Sequence, residues 1–233
     1  MGRWRILCYH GVRPEHAAML HHQLQWFTSE GWTFRSFSQA LAERGLPGRR
    51  VSVSIDDGDA STFNVVQPVL TSLGITGMLY LASGLVHEEI HASTNGPTWK
   101  QVAHWLATGH EVGGHTHQHI AMVQLSVPQM ADELALCSDT IRRELGIVPV
   151  HLAYPWGKYN RPILRWLHSQ GQWQSAVTIE RGQNRPGDDV FRLSRDVMAP
   201  DWTARQVRWR LATGICRPLY RCVRALRPLP VPA

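Results

Sequence analysis

Cysteine is scarce in this chain. Cys8, Cys137, Cys216 and Cys222 show no CxxC spacing and no dense framework. That excludes a disulfide scaffold and a thiolate zinc site and leaves free thiols as the expectation. Long apolar runs are also missing: no stretch approaches the roughly 20 residues of a membrane span, and residues 1–7 are too short for the apolar core of a signal peptide. The expectation is a cytoplasmic protein without a signal peptide, either soluble or peripheral at the inner membrane face. Acidic residues nearly vanish towards the end. Residues 201–233 carry seven arginines (205, 208, 210, 217, 221, 224, 227) against Asp201, which accounts for the whole net charge of +6 and leaves the rest of the chain neutral. A nucleic-acid enzyme would spread basic charge along its groove, so no nucleic-acid partner is expected.

The remaining composition is that of one globular domain. At 233 residues, 43% hydrophobic and 18% charged, the chain can bury a sizeable core and is too short for two average domains. Its ten tryptophans fill core or line a sugar-binding groove. Strand and helix patterns alternate. Strands are predicted at Arg5–Tyr9, Trp32–Phe37, Val51–Ile55, Gly77–Ala82, His110–Gly114, Pro149–Tyr154, Trp173–Ile179 and Phe191–Met198, with helices between them, one capped by Ser38 and the clearest by Ser126. The fold class is therefore α/β with a largely parallel sheet or barrel.

Three clusters fall at the C-terminal ends of predicted strands, where such barrels gather their active sites. Asp56-Asp57-Gly58 follows VSVSI. A turn at Gly58 brings both carboxylates to one site, whereas an Asx turn or helix cap would use only one of them. His115 and His119, four apart behind Gly113-Gly114, can face one point and, with a carboxylate, make a three-ligand open metal site. His117 is the alternative ligand if the register differs. The third cluster, Tyr154-Pro155-Trp156-Gly157, turns backbone N–H groups towards a pocket as oxyanion donors and offers rings to a sugar, or is a plain turn.

Taken in order, YHGV, SIDDG, GHTHQH and AYPWGKYN resemble the motifs of the polysaccharide deacetylase (NodB homology, carbohydrate esterase family 4-like) family, over residues 5 to about 200. The resemblance implies a distorted (β/α) barrel, with a catalytic domain at residues 1–200, a motif core at about 50–200, and a basic helical tail at 201–233. It implies one divalent ion, Zn²⁺ first and Co²⁺, Ni²⁺ or Fe²⁺ as alternatives, and removal of N-acetyl groups from an amino sugar or glycan. Carried over by position, Asp56 is the catalytic base, Asp57, His115 and His119 are the metal ligands, and Trp156 supplies the oxyanion-hole N–H.

Two family features are absent. The arginine that orients the base falls on Ala153, and no histidine follows His168 to complete the late Leu-x-His of the general acid. Arg195, in LSRDV, can supply the first unless it is a surface or ion-paired residue. His10, at the end of the first strand, can supply the second unless it is a buried structural histidine. These losses keep two other readings open: a catalytically degenerate glycan-binding protein, and a metal-dependent amidase on a small non-glycan substrate. For the tail, residues 202–215 are expected to dock on the domain and Arg217–Arg227 to remain available to an anionic membrane surface.

Overall fold

The computed structural model describes residues 2–88 and 96–212. Its eight strands are β1 (Arg3–Tyr9), β2 (Thr33–Phe34), β3 (Arg49–Asp56), β4 (Gly77–Leu81), β5 (Glu111–Gly114), β6 (His151–Ala153), β7 (Ser175–Val177) and β8 (Asp196–Val197). The helices are α1 (Ala17–Ser29), α2 (Phe37–Ala42), α3 (Gln67–Ser72), α4 (Trp99–Ala107), α5 (Val127–Leu145), α6 (Arg161–Ser169) and α7 (Ala204–Ala212). The sheet runs β7-β6-β5-β4-β3-β1-β8 with every pairing parallel, and β2 shares with β4 the far edge of β3. It curls into a distorted (β/α) barrel of a single domain. The seam between β7 and β8 is crossed by a Val177–Leu193 bridge and by hydrogen bonds from Thr178 N to Leu193 O (2.8 Å) and from Arg195 N to Glu180 O (2.9 Å).

The period of two along each strand decides what faces the lumen. Leu7, Tyr9, Val51, Val53, Ile55, Leu79 and Leu81 pack outwards under α1, α3 and α4. Trp4, Ile6, Met78, Tyr80, Ala153 and Val177 point inwards, where Phe37, Ala40 and Leu41 of α2 close the base of the barrel. A third apolar layer, with Met130, Leu134, Leu152, Ile163, Leu167 and Trp173, binds α5 and α6 to the sheet. Helix α5 carries a complete capping box, Ser126 with Gln129, and ends at Gly146 in the left-handed conformation, as its sequence requires.

Several expectations are corrected. The strand expected at Trp32–Phe37 is reduced to Thr33–Phe34. The cap of the next helix is Ser36, not Ser38, because the Glu111 carboxylate accepts from Phe37 N (2.8 Å) and Ser36 Oγ (2.9 Å) and draws the chain into a helix early. The strand expected at Phe191–Met198 keeps only Asp196–Val197. Asp189 caps a turn at Val190–Arg192 instead, so that Leu193 and Arg195 cross the seam. Of the ten tryptophans five (4, 32, 99, 105 and 173) are buried, three (26, 166 and 202) are partly buried against the core and only Trp156 and Trp209 are strongly exposed, so the core accounts for most of them. Helix α7 docks through buried Val207, with Arg208 paired to Glu30, and Arg5 and Arg181 donating to the Leu211 and Arg210 carbonyls at its end. Residues 213–233, including Arg217–Arg227, lie outside the described residues.

Two buried histidines near the base of the sheet are held neutral. Gly77 N donates to His110 Nδ1 at 3.0 Å, and His151 lies between the hydroxyls of Ser38 and Ser175, both at 3.0 Å. Burial pushes each pKa from 6.5 down to about 4. The unfolded chain therefore binds more protons between these values, and stability rises with pH across that window. Urea unfolding is expected to show full stability above pH 6.5 and a progressive loss from 6.5 towards 4. His110→Asn, whose side-chain oxygen can still accept from Gly77, should flatten that slope. An unchanged slope would place the proton uptake elsewhere.

Candidate active site

The lumen-facing row of β3 is Ser52, Ser54 and Asp56, and it delivers one carboxylate into the top of the barrel. There Arg195 meets it in a fork, Nη1 to Oδ1 at 2.5 Å and Nη2 to Oδ2 at 2.7 Å. Arg195 is wholly buried, donates through Nε to Thr178 O (2.9 Å) and through Nη1 to Ser54 Oγ (3.3 Å), and lies over the Tyr80 ring at 5.6 Å. Burial alone would raise the Asp56 pKa. The charges of Arg195, His115 and His10, with the Arg195 hydrogen bonds, outweigh it and hold the group down at about 2. Arg195, just ahead of β8, is thus ion-paired with Asp56 inside the barrel rather than at the surface.

Asp57 takes a different direction. Its N–H still bonds to Tyr80 O (3.1 Å), but its φ of 70°, followed by Gly58 at 79°, swings the side chain to the mouth, where it is 48% exposed. His115 N continues the ladder to Leu81 O (2.9 Å), and its ring Nδ1 bonds to Ala153 O at 2.8 Å. A carbonyl can only accept, so Nδ1 carries the proton and Nε2 presents a lone pair. Burial first, and then the His119 charge, lower the His115 pKa against the pull of Asp56 and Asp57, which favours the neutral ring. His115 Nε2 lies 3.2 Å from His119 Nε2, and Asp57 Oδ1 is 3.7 and 3.4 Å from the two nitrogens.

Three lone-pair donors facing one point repel each other unless a cation sits among them, and one carboxylate oxygen with two imidazole nitrogens is a donor set that suits Zn²⁺ and its neighbours. These residues fit a divalent ion. Cys8, His10 and Asp56 also lie close together. That group fits an ion poorly, because Arg195 occupies both Asp56 oxygens and burial pushes the Cys8 thiol pKa up, keeping it protonated.

The loop between the two histidines has supports that the sequence reading did not foresee. Thr116 and His119 both have positive φ (61° and 57°). Glu133 on α5 accepts from His117 N and Gln118 N, both at 3.0 Å, while Ser83 Oγ holds the His117 ring at 2.8 Å. His117, bonded to Ser83, lies outside the group formed by Asp57, His115 and His119. Glu133, nearly two turns into α5, gave no signal in the sequence. Gly113 and Gly114 are required for close packing: a Cβ would come within 2.7 Å of the Tyr80 ring at the first and 2.8 Å of the Trp173 ring at the second.

Around the mouth, His10 is half exposed, with Nε2 4.0 Å from Asp56 Oδ2, so it is not a buried structural histidine. Trp156 sits at φ 60°, ψ 12°, with its indole 61% exposed and 5.2 Å from the His119 ring. The expectation that Tyr154 and Pro155 also offer surface to a substrate is corrected. Both are buried; the Tyr154 hydroxyl bonds to Phe191 O (2.8 Å) and its ring stacks on Tyr159, so they shape the turn that presents Trp156.

Residues 43–173 match the family model described as polysaccharide deacetylase. The Bacillus subtilis (strain 168) protein YxkH, named as a polysaccharide deacetylase, is 23% identical over 208 residues, covering 84% of this chain and 71% of its own. Among solved structures, IcaB from Ammonifex degensii superposes with a TM-score of 0.77 at 27% identity, over 89% of this chain and 97% of that one. The Streptococcus pyogenes deacetylase PplD, solved in complex with acetate, gives 0.77 at 23% identity, over 90% and 98%.

If Glu133 fixes the loop that carries His119, Glu133→Ala should weaken Zn²⁺ affinity on the order of tenfold, as loss of supporting hydrogen bonds around metal ligands does. Competition against a chromophoric chelator reads this without any turnover. Unchanged affinity would show that Ser83 and the backbone hold the loop unaided.

Proposed function

This chain belongs to the polysaccharide deacetylase family, and from that premise we propose that it is a metal-dependent hydrolase removing N-acetyl groups from an amino-sugar-containing glycan or glycoconjugate. The observation that carries the reading is the placing of two carboxylates with opposite environments side by side: Asp56 sunk in a fork with Arg195, and Asp57 turned out to two imidazoles. Asp57 Oδ1, His115 Nε2 and His119 Nε2 are the atoms that would hold the ion. Bound there, a divalent ion supplies Lewis acidity for the acetyl carbonyl and acidifies water, Zn²⁺ being favoured over Co²⁺, Ni²⁺ or Fe²⁺.

The chain's own groups divide the remaining work. Asp56 is the base; Arg195 keeps it ionised across the physiological range and fixes the plane of its carboxylate, so that Oδ2 can take a proton from water. His10, with Nε2 near that oxygen and half its surface in solvent, is placed to pass a proton to the departing amine. The left-handed turn at Trp156 aims its backbone N–H as an oxyanion donor, and its exposed indole gives the sugar an apolar face. Against a non-catalytic, glycan-binding reading stands the Arg195 fork itself, since a site that only binds has no use for a buried, oriented base.

Purified protein should hold about one divalent ion per chain, and a chelator should abolish acetate release from acetylated amino-sugar oligomers. His115→Ala and His119→Ala should lose both ion and activity, and full metal occupancy in both would refute the ligand assignment. Asp56→Asn should keep the ion and lose roughly 10² to 10⁴ in rate, the range typical of a missing general base. If Asp57→Asn keeps the ion and Asp56→Asn loses it, the two roles are reversed.

A further inference from the structure

All strands run in one direction, so the barrel has one end that carries Asp56, Asp57, His115 and His119, and an opposite end. At the opposite end Arg3 and Arg49 are register partners at the starts of β1 and β3, and Arg44 lies in the turn between α2 and β3. None of these three has a carboxylate partner among the described residues. The acids nearby are taken: Glu30 by Arg208, Glu43 by Arg50 and Arg35, and Asp196 by Arg5. Between the arginines the turn raises Leu46, 55% exposed, followed by Pro47. Beside Arg208, Trp209 is 66% exposed. From Ala212 the chain continues for 21 residues with four more arginines and no acid.

We propose that this end of the barrel docks on an anionic lipid bilayer. An apolar turn flanked by unneutralised arginines matches the interfacial zone of a membrane: guanidinium groups at the phosphates, and Leu46 at the boundary with the acyl chains. A duplex groove would call for a stripe of cations on a concave surface rather than a protruding leucine among them. The proposal is independent of the catalytic reading. Docked this way, the cleft faces away from the bilayer at roughly the length of a seven- to eight-residue strand, about 25 Å.

Flotation of the full chain with phosphatidylcholine vesicles, with and without phosphatidylglycerol, tests this at low and high ionic strength. The expected result is flotation with the anionic vesicles only, lost in high salt. Arg3→Ser with Arg49→Ser should lower the partition coefficient roughly 25-fold, about fivefold per arginine. Leu46→Asp, in an exposed turn where folding is not at risk, should lower it as well, with unchanged thermal unfolding. A full chain with Arg217, Arg221, Arg224 and Arg227 changed to Ser separates the tail from the barrel. No flotation by the wild type, equal flotation by the double variant and Leu46→Asp, or loss confined to the tail variant would each overturn the proposal. So would retention on duplex DNA without flotation, which would make nucleic acid the partner.

Discussion

A carboxylate and a guanidinium locked together at the top of the barrel, both almost without contact with water, set the terms for everything around them. Neither Asp56 nor Arg195 could be buried alone. Removing one partner of such a pair generally costs about 3–5 kcal/mol, because the other charge is left stranded. The lumen has been adapted to them: Ser54 and the Thr178 carbonyl take the spare guanidinium protons, and the Tyr80 ring lies against its face. With Asp56 neutralised by its partner, the negative charge free to attract a cation is that of Asp57, one residue further along and on the other side of a turn.

The backbone around the cleft is strained where it matters. Among the described residues, four non-glycine residues have positive φ, namely Asp57, Thr116, His119 and Trp156, and every one of them belongs to the cleft. Each such conformation costs of order 1–3 kcal/mol and persists only where the surroundings fix it. Here the fixing groups can be named: the Tyr80 carbonyl for Asp57, the Glu133 carboxylate for the loop of Thr116 and His119, and Gly157 N bonded to Tyr154 O (2.7 Å) for Trp156.

How much of this was legible in the sequence follows from how local each signal is. VSVSI followed by DDG specifies a strand, its parity and its end, so the placement of Asp56 could be read directly. His115 and His119 were legible through their spacing, and α5 through its cap and stop. The extent of the last strand was not, because whether residues 191–198 pair depends on where β7 ends on the far side of the seam. Arg195 could be named as a candidate but not assigned, since its partner is 139 residues away. Glu133 carries no local sign at all: a glutamate on a helix reads as a solvated surface residue until the loop above it is in place. Tyr154 misled for the opposite reason, as an aromatic beside a cleft can equally well turn into the core.

The seam is also a mechanical element. Between β7 and β8 closure depends on a few bonds made by Leu193 and Arg195, a joint about as short as the single register pair, Gly114 with Leu152, that joins β5 to β6. The guanidinium that pairs with Asp56 thus hangs from one of the short joints of the fold. Local opening there, which costs less than global unfolding wherever backbone bonds are few, would withdraw the guanidinium and leave Asp56 a buried, unpaired acid that takes up a proton. Catalytic competence would then be a reporter of barrel closure, failing at a temperature below that at which the helices melt.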